Sequence, residues 1–432
     1  MSNNSISIYV LHLKLCAAIA GKMKGISACI SYRGSSMRNF SLIILGNIAL
    51  ESSMPLLFAV GGLAGLYLAP FSWLATLPIA VQMAAGTVCS IPFSNLMARY
   101  SRRAGFILAG ITMILGGFIS AISIYLGSFI LLLGGHFLIG ISMVGVNFLR
   151  YAAAESVPKN RAATASSILL ASGIIGVIIG SELYGKENNL RFELPFVGIY
   201  LIISAIGGCA ALAFSLLNGG FRHSIHQIDS DVSKTSGFAF IISNHALFFG
   251  IVAMVLGHAI MIIVMSAASI ASAGYGLGNS ETGMLIGAHL VAMFAPGIIT
   301  GMLISRMGAN RIILLGAILN LAGFLTGLIS ETNMIILGVP LIFAGLGWNF
   351  MFLGGTHIIN GMSDGMDKVR VQGASETLLA LVSMVFAFAS GGIYELLGWM
   401  GLIFVVTIMT LLTIALLFIH AYLMPNIVDK SV

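Results

Sequence analysis

Residues 104–149 read AGFILAGITMILGGFISAISIYLGSFILLLGGHFLIGISMVGVNFL, and no charged residue stands between Arg103 and Arg150. A helix needs about 20 consecutive apolar residues to cross a bilayer, each adding a rise of about 1.5 Å. This interval therefore has room for two crossings and a turn, a hairpin that returns the chain to the side it left. The same holds between Lys234 and Glu281, where no residue is charged, and between Arg38 and Arg99, where Glu51 is the only charge. If hairpins of this kind make up the chain, its charges must collect on one side.

Composition agrees with that reading. The chain has 432 residues, 58% of them apolar and 8% charged, and its mean hydropathy is +1.04. Soluble domains carry about 25% charged residues, so lipid must surround most of this surface. Glycine is abundant and proline scarce, 52 against 9, which suits helices that approach closely in a membrane. Cys16, Cys29, Cys89 and Cys209 have neither metal-ligand nor redox spacing. No metal or other cofactor is expected. The net charge of +6 reflects a positive-inside bias and implies no nucleic acid partner.

Hydropathy places spans at about 40–65, 73–97, 104–124, 129–153, 163–184, 195–217, 241–273, 282–305, 311–330, 334–360, 371–394 and 398–424. With the N-terminus in the cytoplasm, every one of the 20 Lys and Arg residues except Lys186 and Arg191 falls on the cytoplasmic side. That bias orients both termini inwards and requires an even number of spans. The expected organisation is a cytoplasmic or interfacial leader over 1–37, a six-helix bundle over 38–217, a cytoplasmic linker over 218–240, a second six-helix bundle over 241–425 and a cytoplasmic tail over 426–432. The fold class is all-α integral membrane, with twelve transmembrane helices in two six-helix pseudo-repeats.

The halves echo each other. After the second span the chain reads Ser94-Asn95-Leu96-Met97-Ala98-Arg99-Tyr100-Ser101-Arg102-Arg103. After the eighth it reads Gly301-Met302-Leu303-Ile304-Ser305-Arg306-Met307-Gly308-Ala309-Asn310-Arg311. Spans 4 and 10 share Gly145-Val146-Asn147-Phe148 and Gly347-Trp348-Asn349-Phe350. Paired halves with a site between them are the usual plan of a transporter.

Both loops resemble the G-x-L-x-D-R-x-G-R-R signature between helices 2 and 3 of the major facilitator superfamily. Leu96, Arg99, Arg102 and Arg103 match in the first copy, and Gly301, Leu303, Arg306 and Gly308 in the second. Ala98 and Ser305 stand where the family has its acid, which puts the family's charged latch in doubt. The resemblance in topology covers about residues 38–425 and implies a major facilitator fold of the bacterial twelve-helix type. It further implies a secondary transporter working by alternating access in the inner membrane. Gly173, Gly176 and Gly180-Ser181 resemble in part the glycine-rich antiporter motif of drug exporters, and tight helix packing explains them equally well.

Several residues are candidates for chemistry. Glu51 lies near mid-depth of the first span, where an ionised carboxylate is costly and usually faces a cavity. Asn47 is one turn away on the same face. Glu51, Asn47 and Arg150 are read as proton-coupling or substrate residues. The cavity candidates are Gln82, His136, Asn147, His258, His289, Trp348 and Asn349, with Trp348 able to stack on a flat ligand. Arg99, Arg102, Arg103, Arg306, Arg311 and Glu376 are assigned to a cytoplasmic gate. The histidines lack metal-ligand spacing. There is no Gly-Lys-Ser/Thr element for ATP, and no nucleophile–base set for an enzyme. The expected partners are a small organic solute, protons and the bilayer, and the chain is expected to be a monomer. A receptor or sensor built on the same fold is the alternative.

Overall fold

The computed structural model describes residues 37–157, 162–186, 192–218, 237–330, 333–362 and 366–423. The expected leader, most of the linker and the tail lie outside the described residues, as do Lys159, Arg161 and Arg191.

The first six helices are α1 (Met37–Leu68), α2 (Leu77–Arg99), α3 (Arg102–Tyr125), α4 (Phe129–Glu155), α5 (Ala162–Gly185) and α6 (Val197–Ser215). In this half α3 packs on α4 and α6, and α4 packs on α2 and α5. A seven-residue helix, Gly237–Ser243, precedes α7 (His245–Gly274). Then come α8, in two pieces (Asn279–Phe294 and Gly297–Met307), α9 (Ala309–Ile329) and α10 (Asn333–Asn360). The last helical stretch, Met366–Leu423, leaves helical geometry at Gly398 (φ 66°, ψ −172°). Only glycine adopts that conformation without strain, so α11 (366–397) and α12 (399–423) are separate crossings. In this half α10 packs on α7, α8 and α9. Among the described residues the protein is thus a nearly all-helical membrane protein of twelve crossings in two similar halves.

Lipid offers the backbone no hydrogen bonds, so helix ends must be satisfied locally. Ser101 Oγ accepts from the Ala104 amide at 3.1 Å, and Asn244 Oδ1 from the Leu247 amide at 3.2 Å. The sequence reading differs from the structure in three places. The seventh span is broken at Asn244, the eighth bends by 41° between Asn279–Phe294 and Ile299–Met307, and the helix of the eleventh span extends closer to the twelfth. Hydropathy averages over such breaks, because a single Asn, Pro or Gly barely lowers the mean of a long apolar window.

The two halves meet through α2 with α11 and α5 with α8. The atoms that touch lie at the end remote from Arg99 and Arg306. Thr76 Oγ1 donates to the Phe388 carbonyl at 3.2 Å and accepts from the Gly391 amide at 3.1 Å. Trp73 meets Phe388 edge to face at 5.9 Å. Gly283 lies so close to the Ser181 carbonyl that an added Cβ would be 2.8 Å from its oxygen, and a Cβ on Gly62 would be 2.9 Å from Ser269 Oγ. At the basic end, the Gly297–Met307 piece of α8 packs on α9 and α10 of its own half.

Candidate functional site at the mid-depth of the two halves

Glu51 is the fifteenth residue of α1 and part-buried. Its Oε2 is buried and has no hydrogen-bond partner among the described residues. The side chain lies against α5: a Cβ built on Gly173 would be 3.4 Å from Glu51 Cγ, and one built on Gly176 only 2.5 Å from the Ile48 carbonyl oxygen. The α5 glycines thus let two backbones meet, which accounts for the Gly173–Gly176–Gly180 spacing as packing. Asn47 is buried, and its Nδ2 donates to the Leu169 carbonyl and to Ser172 Oγ, both at 3.1 Å. Asn47 is therefore fastened to α5 one turn from the unpartnered carboxylate.

Gln82 and His136 come together, wholly inside the first half. His136 Nδ1 is 3.2 Å from Gln82 Oε1 and its Nε2 is 2.9 Å from the Tyr200 hydroxyl. All three side chains are buried, so this network ties α2, α4 and α6 together. Asn147 and Arg150 are exposed on α4.

The second half holds an aromatic group. Trp348 stacks on Phe352 with centroids 4.8 Å apart and 16° between planes, and meets the Phe294 ring edge to face at 6.2 Å. Its Nε1–H donates to His258 Nδ1 at 2.7 Å, and His258 Nε2 is 2.7 Å from Ser383 Oγ. Trp348, Phe352, Phe294 and His258 are all part-exposed.

Asn349 is buried and spans the α8 bend. Its Nδ2 donates to the Met293 carbonyl at 2.7 Å, before the bend, and its Oδ1 accepts from Thr300 Oγ1 at 2.6 Å, after it. Pro296, at the bend, has no amide to donate. His289 is buried, with Nδ1 2.6 Å from the Leu341 carbonyl and Nε2 lacking a partner among the described residues.

The six residues assigned to a gate separate into two sets. Arg102 is buried and grips Glu155 with two bonds, Nε to Oε2 at 2.7 Å and Nη2 to Oε1 at 2.5 Å. Arg103 donates to the Ser215 carbonyl at the end of α6 at 2.5 Å. Arg38 reaches the neighbouring Asn218 side chain. These bonds hold the first half together. Arg99, Arg306, Arg311 and Glu376 are exposed, and Arg99 lies over the Tyr100 ring at 5.7 Å. Among the described residues no group of three His, Cys, Asp or Glu side chains could hold a metal ion.

Sequence reasoning missed Phe352, Phe294, Ser383, Thr300 and Tyr200. Phe352 could have been found, since it is one helical turn from Trp348 on the same face. The other four lie on different helices from their partners, and their spacing along the chain carries no signal.

Twelve crossings in two similar halves, joined at one end, are the plan of many secondary transporters. No family model matches the chain. It is 26% identical over 372 residues to the riboflavin transporter RfnT of Brucella anthropi, covering 84% of this chain and 91% of that protein. It is 27% identical over 336 residues to the MFS-type transporter YddS of Bacillus subtilis, covering 73% and 76%. Its fold matches the solved nucleoside transporter NupG at a TM-score of 0.71 and 12% identity, covering 89% of this chain and 99% of that one. A D-xylose-proton symporter matches at 0.71 and 11%, covering 88% and 97%. The chain is thus similar to bacterial MFS-type transporters over most of its length, and it shares its fold with solved solute transporters.

Proposed function

We propose that the protein moves a small organic solute with a flat aromatic part across the bacterial inner membrane, driven by protons, with its basic end and both termini in the cytoplasm. The observation that carries this reading is the part-exposed Trp348–Phe352 stack midway along α10. A third ring would extend that stack, and aromatic pairs contribute about 0.5–1.5 kcal/mol beyond their buried area. Phe352 follows Asn349 at the offset at which Arg150 follows Asn147, so the pseudo-repeat sets Arg150 at the corresponding level of the first half. Asn147 and Arg150 share one helical face. A charged side chain exposed on a spanning helix is costly in hydrocarbon and usually faces a water-filled cavity, which is the place this reading gives that face. The first half thus supplies hydrogen-bond donors and charge, and the second supplies a flat apolar surface.

Glu51 is the coupling residue in this reading. Its unpartnered, buried Oε2 is costly when ionised in a closed site and acceptable when water reaches it. Its proton affinity then depends on which end is open, which is the linkage a coupled carrier needs. In this reading Arg99, Arg306, Arg311 and Glu376 border the basic opening, and the chain is divided into the leader over 1–37, the bundles over 38–217 and 241–425, the linker over 218–240 and the tail over 426–432. With that end cytoplasmic, the contacts at Thr76, Ser181 and Gly391 close the outer side.

Riboflavin, which RfnT is named for, has a flat three-ring system and is the first probe to use. Proteoliposomes with an imposed proton gradient should accumulate it, and Trp348→Ala should weaken uptake about tenfold through loss of the stack. Equal uptake by liposomes without protein, or by Trp348→Ala, refutes the reading.

A further inference from the structure

Trp348 is held by more than packing. Its indole Nε1–H points at His258 Nδ1, 2.7 Å away on α7. An indole nitrogen donates only, so Nδ1 must be the acceptor and the imidazole proton must sit on Nε2. That proton goes to Ser383 Oγ on α11 at 2.7 Å, and the Ser383 hydroxyl donates in turn to the Leu379 carbonyl at 2.8 Å. The direction of every hydrogen bond in this chain is fixed by its two ends: a tryptophan that cannot accept and a carbonyl that cannot donate. One imidazole in a single tautomer therefore connects α10, α7 and α11.

This arrangement has a consequence for recognition. The one hydrogen that Trp348 could offer a solute is already used by His258, and Phe352 and Phe294 have none to give. The aromatic group of the second half can then select for a flat shape and for nothing else. Hydrogen-bonding selectivity has to come from other residues.

We infer that His258 and Ser383 are positioning residues for the solute platform. They fix the rotation of the Trp348 indole so that its face stays parallel to Phe352 and available to a flat ring. The inference rests on the stacking reading given under Proposed function. His258 does not touch the solute; it acts through Trp348, and Ser383 acts through His258 by receiving its Nε2 proton.

Two substitutions of His258 separate positioning from simple packing. Asparagine places Oδ1 close to the position of Nδ1 and keeps an acceptor for the indole, but is smaller. Phenylalanine fills the space better and offers no acceptor. If the imidazole only fills space, His258→Phe is the milder change; if it orients Trp348, His258→Asn is.

The test uses the full chain in nanodiscs. The emission of Trp348 is taken as the difference between each protein and the same protein carrying Trp348→Phe. Riboflavin affinity is measured by its quenching of that emission. His258→Asn should keep the wild-type emission maximum and an affinity within about threefold, whereas His258→Phe should shift the emission and weaken riboflavin about tenfold, the worth of one hydrogen bond. Ser383→Ala should fall between them. If His258→Asn and His258→Phe shift the emission alike, or if neither shifts it, the positioning role is overturned. Should the wild type bind no riboflavin, the emission series, which needs no ligand, still decides for or against positioning; only the stacking reading falls.

Discussion

The contacts between the halves make the consequence of Gly283→Ala calculable. In the observed state an alanine Cβ at this position would lie 2.8 Å from the Ser181 carbonyl oxygen and 3.3 Å from Tyr184 Cδ1. The nearer contact is with backbone, so no rotamer change relieves it. Overpacking of this kind costs about 1–3 kcal/mol. The greater helix propensity of alanine over glycine favours all states equally and cancels. If transport requires the ends of α5 and α8 to part, the clash penalises only the state in which they touch. The balance between states should then move about 5–150-fold away from the observed one. Gly134→Ala is the control, because its Cβ would meet nothing within 4 Å.

Two single-cysteine proteins, with the native cysteines replaced, report the balance: Asn147→Cys on the basic side and Ser272→Cys on the other. The ratio of their labelling rates by an impermeant maleimide, each measured from its own side of the membrane, should change by that factor in Gly283→Ala and stay constant in Gly134→Ala. An unchanged ratio in a protein of unaltered thermal midpoint would show that α5 and α8 do not separate during the cycle. A rise in both rates would mean simple loosening and would equally defeat the reasoning.

Three further outcomes are expected. Glu51→Gln keeps the size of the side chain and fixes it neutral, so it should abolish riboflavin accumulation driven by a proton gradient while exchange without a gradient continues; wild-type accumulation would make Glu51 structural. Asn349→Leu should leave the Met293 carbonyl and Thr300 hydroxyl without their shared partner, at a cost of about 1–3 kcal/mol. Spin-label distances from the Gly297–Met307 piece of α8 to α10 should broaden, and an unaltered distribution would show that Asn349 does not set the bend. Glu155→Gln should lower stability against denaturant by about 1–3 kcal/mol. Arg102 is 5% exposed while Glu155 is 41% exposed, which holds the loss below the roughly 3–5 kcal/mol of a fully buried pair; a change under about 0.5 kcal/mol would show the pair to be idle.

The membrane class, the twelve crossings, the paired halves and a carboxylate within the first span were all legible in the sequence. Each depends on hydropathy or spacing along one helix, where a charge-free run such as 104–149 has one physical outcome in lipid. Gly283 against Ser181, Asn349 across the α8 bend and the assignment of Arg102 to Glu155 were not legible. Neither was the difference between the two echo motifs, in which Asn147 is exposed while Asn349 is buried as a staple. The same contrast holds for the histidines: the chain shows His136 and His258 as similar polar residues in apolar helices. Their partners lie far off, 54 and 64 residues from His136 and 90 and 125 from His258. Local periodicity fixes which face of a helix a residue occupies, but only the packing of helices against one another decides what that face meets. In lipid this matters especially, because helix association depends on close fit and specific hydrogen bonds, with no general hydrophobic force between helices to foretell it.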